Sequence, residues 1–233
     1  RAIVAKLFDE AVSRGKLDAA ESLSRQSETF RFISGEGASL PAVDMVIEAV
    51  FENLDVKRAL FTRLAAGLPE DTILATNTSY LDVNRIAEVV PNPARFLGLH
   101  FFAPAHLMKL VEVIRAEATS KQTLATTFAL TRRLNKIAVE AGVCDGFIGN
   151  RILTRYRQAA DVALLEGALP AQVDAAMVGF GMAMGPYEVQ DLSGLDIAYA
   201  NRKRKRDAGI EITGRHVPVA DRMVEDLKRL GRK

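Results

Sequence analysis

Between residues 44 and 142, short apolar runs rich in branched side chains alternate with segments whose apolar residues recur at helical spacing, the signature of a wound α/β sheet. Residues 44–50, 73–76 and 96–100 have the length and branching of strands. Val56, Leu60, Phe61, Leu64 and Leu68 fall on one face of a helix over residues 54–68, which ends before Pro69. A short helix over 83–90 precedes the third run. After it come a turn over 103–109, a strand over 110–115, a helix over 123–135 and a strand over 137–139. Upstream, Ile3, Val4, Leu7, Phe8 and Val12 predict an opening helix that stops at Gly15, and residues 29–33 predict a further strand.

Past Gly146 the pattern changes. Ile148, Ile152, Tyr156, Ala160, Ala163 and Leu164 keep helical spacing, and later helical segments are divided by Pro170, Gly185-Pro186 and Pro218. With 233 residues, 48% of them hydrophobic, two modest cores are affordable. The expected organisation is an α/β domain over 1–142 and an all-helical domain over 143–233. Lys and Arg total 31 against 29 Asp and Glu, so a net charge of +2 creates no general field for nucleic acid. One cysteine, Cys144, excludes an internal disulfide and a cysteine-built zinc site, and it fits a cytoplasmic protein. No apolar run approaches the roughly 18 residues of a membrane span, and the opening residues are amphipathic rather than signal-like.

In open α/β sheets ligands bind beyond the carboxyl ends of parallel strands. Three runs end there with polar residues: Glu52 and Asn53, then Asn77-Thr78-Ser79, then His100. A hairpin centred on His106 pairs positions whose numbers sum to a constant, setting His100 opposite Glu112. A carboxylate against one imidazole nitrogen fixes the tautomer and leaves the other nitrogen free to take a proton, a general-base dyad. The plainer alternative is a half-buried ion pair tying two strands together. Asn77-Thr78-Ser79 can equally cap the helix that follows, and Asn150, flanked by Gly146 and Gly149, which permit close backbone approach to a neighbour or a ligand, can be a capping or solvated residue. Arg202-Lys203-Arg204-Lys205-Arg206 closes a helical stretch, where a solvated face is the preferred reading over an anion site. His106 and His216 lack the paired spacing of metal ligands, so no metal is expected.

A dinucleotide-binding fold normally offers Gly-x-Gly-x-x-Gly after its first strand, where bare amides meet the pyrophosphate. Gly35-Glu36-Gly37 is followed by Leu40, and Gly179-Phe180-Gly181 ends in Met184 among helices, so neither fits. Because the chain opens inside a helix, the expectation is an N-terminally truncated, Rossmann-like wound sheet whose first strand, glycine loop and second strand lie upstream.

From about Val43 onward the sequence resembles the 3-hydroxyacyl-CoA dehydrogenase family. The likeness rests on Val46-Ile47-Glu48-Ala49-Val50-Phe51-Glu52-Asn53, Asn77-Thr78-Ser79, Gly98-Leu99-His100-Phe101-Phe102, Leu110-Val111-Glu112-Val113, Gly146-Phe147-Ile148-Gly149-Asn150-Arg151 and Met184-Gly185-Pro186-Tyr187-Glu188. Cys144-Asp145-Gly146 and Ala105-His106 are most similar to members fused to an enoyl-CoA hydratase. The resemblance implies oxidation of 3-hydroxyacyl-CoA in fatty acid β-oxidation with NAD. It makes His100 the base, Glu112 its partner, Ser79 a contact of substrate and nicotinamide, and Asn150 a contact of the reacting oxygen. It assigns Glu52, Lys57, Ser79 and Asn77 to the cofactor site, where a helix-start acid and a solvated lysine are the plainer readings of Glu52 and Lys57, and it implies a homodimer or interdomain packing through the helical domain. Many members carry Asn where this sequence has Ala103, which removes a carboxamide near the nicotinamide. Two alternatives stand: a fragment or scaffold without catalysis that pairs through its helical domain, and a short-chain 3-hydroxybutyryl-CoA dehydrogenase.

Overall fold

A computed structural model describes residues 2–33, 41–207, 209, 225, 226 and 229, the side chains of 196–198 apart. Gly35-Glu36-Gly37, Leu40, His216 and Pro218 lie outside the described residues. The chain divides into two compact units, Arg1–Val43 and Asp44–Lys233.

In the first unit, helix α1 (Ala2–Ser13) ends just before Gly15, whose φ of +65° suits glycine. Helix α2 (Ala19–Ser24) is capped by Asp18, which accepts from Glu21 N at 2.7 Å. Arg25–Thr29 continue as a π-helical turn, and residues 30–33 join no β-ladder among the described residues, which corrects the strand expected at 29–33. The reason lies in the rings. Phe30 packs edge-on against Phe8 of α1, with centroids 5.7 Å apart, and stacks with Phe32 at 6.4 Å. These apolar side chains are engaged by ring contacts instead of a sheet face.

The second unit carries a five-stranded sheet in the order β1 (Met45–Glu48), β2 (Ile73–Thr76), β3 (Phe96–Phe101), β4 (Leu110–Arg115), β5 (Ile137–Gly142). β1, β2 and β3 run parallel, β4 is antiparallel to β3, and β5 is parallel to β4. Helix α3 (Leu54–Gly67) joins β1 to β2, α4 (Val83–Ala87) lies between β2 and β3, and α5 (Lys121–Arg133) joins β4 to β5. The two-residue period of the strands sorts the core. Leu74, Phe96 and Ile114 face Phe61 and Leu64 of α3 and Val83 and Ile86 of α4. Ile73, Ala75, Leu97, Leu99, Val111 and Val113 face the opposite way, toward Leu124 and Phe128 of α5. Each fully buried side chain of this size contributes roughly 1.5–3 kcal/mol. By the same period Gly98 and His100 share the face of Phe96, and Glu112 shares that of Ile114.

Beyond the sheet come α6 (Gly149–Leu165), α7 (Pro170–Phe180), α8 (Pro186–Ser193) and α9 (Leu195–Asp207). Proline opens α7 and α8, where a missing N–H costs nothing. Asp174 of α7 caps α8, accepting from Tyr187 N at 2.9 Å and Glu188 N at 3.2 Å. A Cβ on Gly185 would sit 2.1 Å from the Asp174 carboxylate, so the α7–α8 junction admits only glycine there. Among the described residues no helix is long and apolar enough to cross a membrane.

Gly98 sets how closely β3, α4 and β4 approach beside His100, since an added Cβ would stand 2.8 Å from Ile114 Cβ and 3.1 Å from Val83 Cγ2. Gly98→Ala is therefore expected to destabilise the unit by about 1–3 kcal/mol, as overpacking does. Urea unfolding measures this, and an unchanged midpoint would contradict the packing described.

Candidate active site

The hairpin register sets His100 opposite Glu112 and Phe101 opposite Val111. Both side chains of the first pair are buried, and His100 Nδ1 lies 2.7 Å from Glu112 Oε2. Glu112 Oε1 accepts two further bonds, from Ile148 N at 2.9 Å and Gly149 N at 2.8 Å, at the start of α6. A helix N-terminus favours an anion through its unpaired amides and its dipole. Gly149 makes the approach possible: a Cβ there would stand 2.7 Å from Phe102 Cζ. Burial pushes the Glu112 carboxyl up, but the His100 hydrogen bond and the Gly149 and Ile148 amides outweigh it and hold the group below its ordinary value. Glu112 is thus an acceptor at neutral pH. In the neutral ring Nδ1 is then the donor to Glu112 and Nε2 the acceptor nitrogen.

That nitrogen meets Ser79, whose Oγ is 3.2 Å away. Ser79 sits in the turn after β2, and this turn is organised by Glu52. Glu52 Oε1 accepts from Thr78 Oγ1 at 2.5 Å, Ser79 N at 2.9 Å and Tyr80 N at 3.2 Å. Asn77 faces the other way, its Oδ1 accepting from Phe101 N at 3.0 Å, which joins the turn to β3. Asn150, in the first turn of α6, donates from Nδ2 to Ser79 O at 3.5 Å. His100, Glu112, Ser79 and Asn150 therefore converge, and Asn77 and Glu52 hold the turn that brings Ser79 in. The helix-cap alternative goes elsewhere: Asp82 caps α4, and Asn53 caps α3.

Lys57 is not solvated. Its ammonium is fully buried, 2.7 Å from Glu48 Oε1 and 3.5 Å from Glu52 Oε2, so it stands behind Glu52. The solvated reading of the basic run also needs correction. Arg204 and Lys205 keep only 32% and 16% of their side chains exposed and pair with Asp145 at 2.5 and 2.8 Å. Arg204 also lies over the Tyr80 ring, 4.9 Å from its centre. The packing of α9 against the loop before α6 decides this, and helical periodicity carries no trace of it. Lys203, paired with Asp207 on the surface, follows the solvated reading.

A cleft of about 840 Å³ opens beside the group, bordered among others by Tyr80, Ile148, Asn150, Ile152, Tyr156 and Lys205. The α6 amides on Glu112 and the Glu48–Lys57 pair escaped sequence reasoning. One signal for the second was present: a glutamate inside the apolar run Val46-Ile47-Glu48-Ala49-Val50 demands a buried partner.

Two family models cover the chain. "3-Hydroxyacyl-CoA dehydrogenase, NAD binding domain" matches residues 1–144, and "3-hydroxyacyl-CoA dehydrogenase, C-terminal domain" matches 146–233. The peroxisomal bifunctional enzyme of Cavia porcellus is 36% identical over 241 residues, covering 99% of this chain and 33% of that protein. The fatty acid oxidation complex subunit alpha of Psychrobacter arcticus is 41% identical over 226 residues, covering 96% of this chain and 29% of that protein. The chain thus spans about a third or less of the length of these relatives. The crystal structure of M. tuberculosis FadB2 superposes with a TM-score of 0.85 at 32% identity, covering 98% of this chain and 82% of that one.

The lowered pKa of Glu112 has a pH consequence. The unfolded state binds a proton that the folded state refuses, so this contribution to stability is complete above the unfolded value of about 4.3 and is lost as pH falls through the lower folded value. Thermal melts across the acid range should show a shallower loss on acidification for Glu112→Gln than for the parent. Equal acid slopes would remove Glu112 as the source.

Proposed function

Because the chain belongs to the 3-hydroxyacyl-CoA dehydrogenase family, we propose that its protein oxidises the C3 hydroxyl of a 3-hydroxyacyl-CoA to the 3-keto thioester in fatty acid oxidation, with NAD as cofactor. The observation that carries this reading is His100 held between the Glu112 carboxylate and the Ser79 hydroxyl, with its Nε2 facing the latter. His100 Nε2 takes the substrate hydroxyl proton, and Glu112 stabilises the imidazolium that forms. The Ser79 hydroxyl and the Asn150 carboxamide orient the reacting oxygen.

The residues fit the nicotinamide end of NAD. The Glu52 side chain is 38% exposed and suits the ribose hydroxyls, and Ser79 and Asn77 sit in the same turn. Lys57 serves that end as the cation behind Glu52. When bound, NAD supplies the acceptor for the hydride leaving C3. The residues in this sequence include no Gly-x-Gly-x-x-Gly run for the pyrophosphate.

The proposed division is an NAD-binding domain over 1–142 and a helical domain over 143–233, supported by the change of family model between residues 144 and 146. Pairing through the helical part, as a homodimer or with a neighbouring domain, is supported by exposed apolar side chains there, Ile152, Phe180 and Leu192 among them. The cytoplasm is the proposed compartment, in keeping with the exposed free thiol of Cys144.

The test is an NADH-producing assay on the complete encoded polypeptide with 3-hydroxyacyl-CoA substrates of graded chain length. His100→Gln is expected to lower kcat by roughly 10²- to 10⁴-fold. A near-parental rate would sink the assignment, and a confined preference for the four-carbon substrate would favour a short-chain 3-hydroxybutyryl-CoA dehydrogenase.

A further inference from the structure

Beneath the site lies a buried ionic network anchored on Glu48, a residue given no role above. Glu48 is 3% exposed, at the end of β1, and both of its carboxylate oxygens are taken by protein donors. Its Oε1 accepts from Lys57 Nζ at 2.7 Å and from Val50 N at 2.6 Å, and its Oε2 accepts from Thr76 Oγ1 at 2.7 Å. Its backbone oxygen accepts from Asn77 N at 2.8 Å. Both Thr76 and Asn77 lead directly into the turn that carries Ser79.

A fully buried ion pair is a poor way to gain stability, because desolvation consumes most of the attraction and apolar replacements of similar volume are often as stable. The third contact of Lys57 gives the pair another consequence. Lys57 Nζ stands 3.5 Å from Glu52 Oε2, while the other oxygen of Glu52 gathers Thr78 Oγ1, Ser79 N and Tyr80 N. Those three donors hold Oε1 of the part-exposed Glu52 carboxylate, and Oε2 is the oxygen left to fix. An ammonium immobilised by Glu48 fixes it.

We propose that Glu48 is a positioning residue for this site, setting the Ser79 hydroxyl against His100 Nε2 through Lys57 and Glu52 on one side and through Thr76 and Asn77 on the other. The inference rests on the dehydrogenase reading for its effect on rate, but the placement of Ser79 against His100 stands apart from that reading. Displacing a group that orients the reacting oxygen is expected to act on kcat more than on KM.

The test uses Glu48→Gln, Ser79→Ala and the double variant in the complete encoded polypeptide. Glu48→Gln is expected to lower kcat by about ten- to a hundredfold. In the Ser79→Ala background the same change is expected to cost less than about twofold, because the hydroxyl it positions is gone. The imidazole nitrogen shifts of His100, assigned by comparison with His100→Gln, give a readout that needs no substrate. In Glu48→Gln the Nε2 shift should move toward its value in Ser79→Ala. Equal kcat losses in both backgrounds, or a folded Glu48→Gln with the parental Nε2 shift, would overturn the proposal. If Glu48→Gln does not fold, Thr76→Val removes one bond to Glu48 without stranding a charge, and the same two comparisons decide. If no acyl-CoA is oxidised by the parent, the functional reading fails while the Nε2 shift still decides the positioning role.

Discussion

The arrangement of this site depends on one carboxylate. Glu112 is buried in β4 and would be intolerable there without partners, since burying an unpaired charge is among the costliest things a fold can do. It is satisfied from two directions at once: one oxygen by His100 on the neighbouring strand, the other by the first amides of α6. The group that orients the imidazole is therefore also the group that docks the helix carrying Asn150. Imidazole orientation and helix docking share a single anion.

A second acid does comparable work across the site. Glu52 collects three donors from the turn after β2, and that turn delivers Ser79 to the far side of His100. The imidazole is held between these two junctions, one built on an antiparallel strand pair and one on the carboxyl ends of parallel strands. Orientation at a reacting centre is sensitive to displacements of an ångström, so a site held by several short bonds to buried backbone suits such chemistry.

Much of this was legible in the residues. The order of strands and helices across 44–142 follows from apolar periodicity, and hairpin arithmetic alone opposes His100 to Glu112. Gly149 read correctly as a point of close approach, because no side chain fits against Phe102. Other features were not legible. Residues 29–33 have strand composition, but composition does not say whether a hydrogen-bonding neighbour exists, and here the rings of Phe30 and Phe32 are turned to other contacts. Lys57, Arg204 and Lys205 look like surface cations by type and spacing, yet Lys57 is sealed against Glu48 and the other two close on Asp145.

The division has a physical cause. Periodicity, β-branching, breakers and the parity of a strand pair are local quantities, and they determined which segments are strands, which face each residue takes, and that an imidazole would meet a carboxylate. Partners drawn from distant segments are not local. That α6 presents its amides to Glu112, that Lys57 backs Glu52, and that α9 lies against Asp145 was decided only when packing brought those segments together, because a charge inside a protein takes whichever counterpart the fold places within reach.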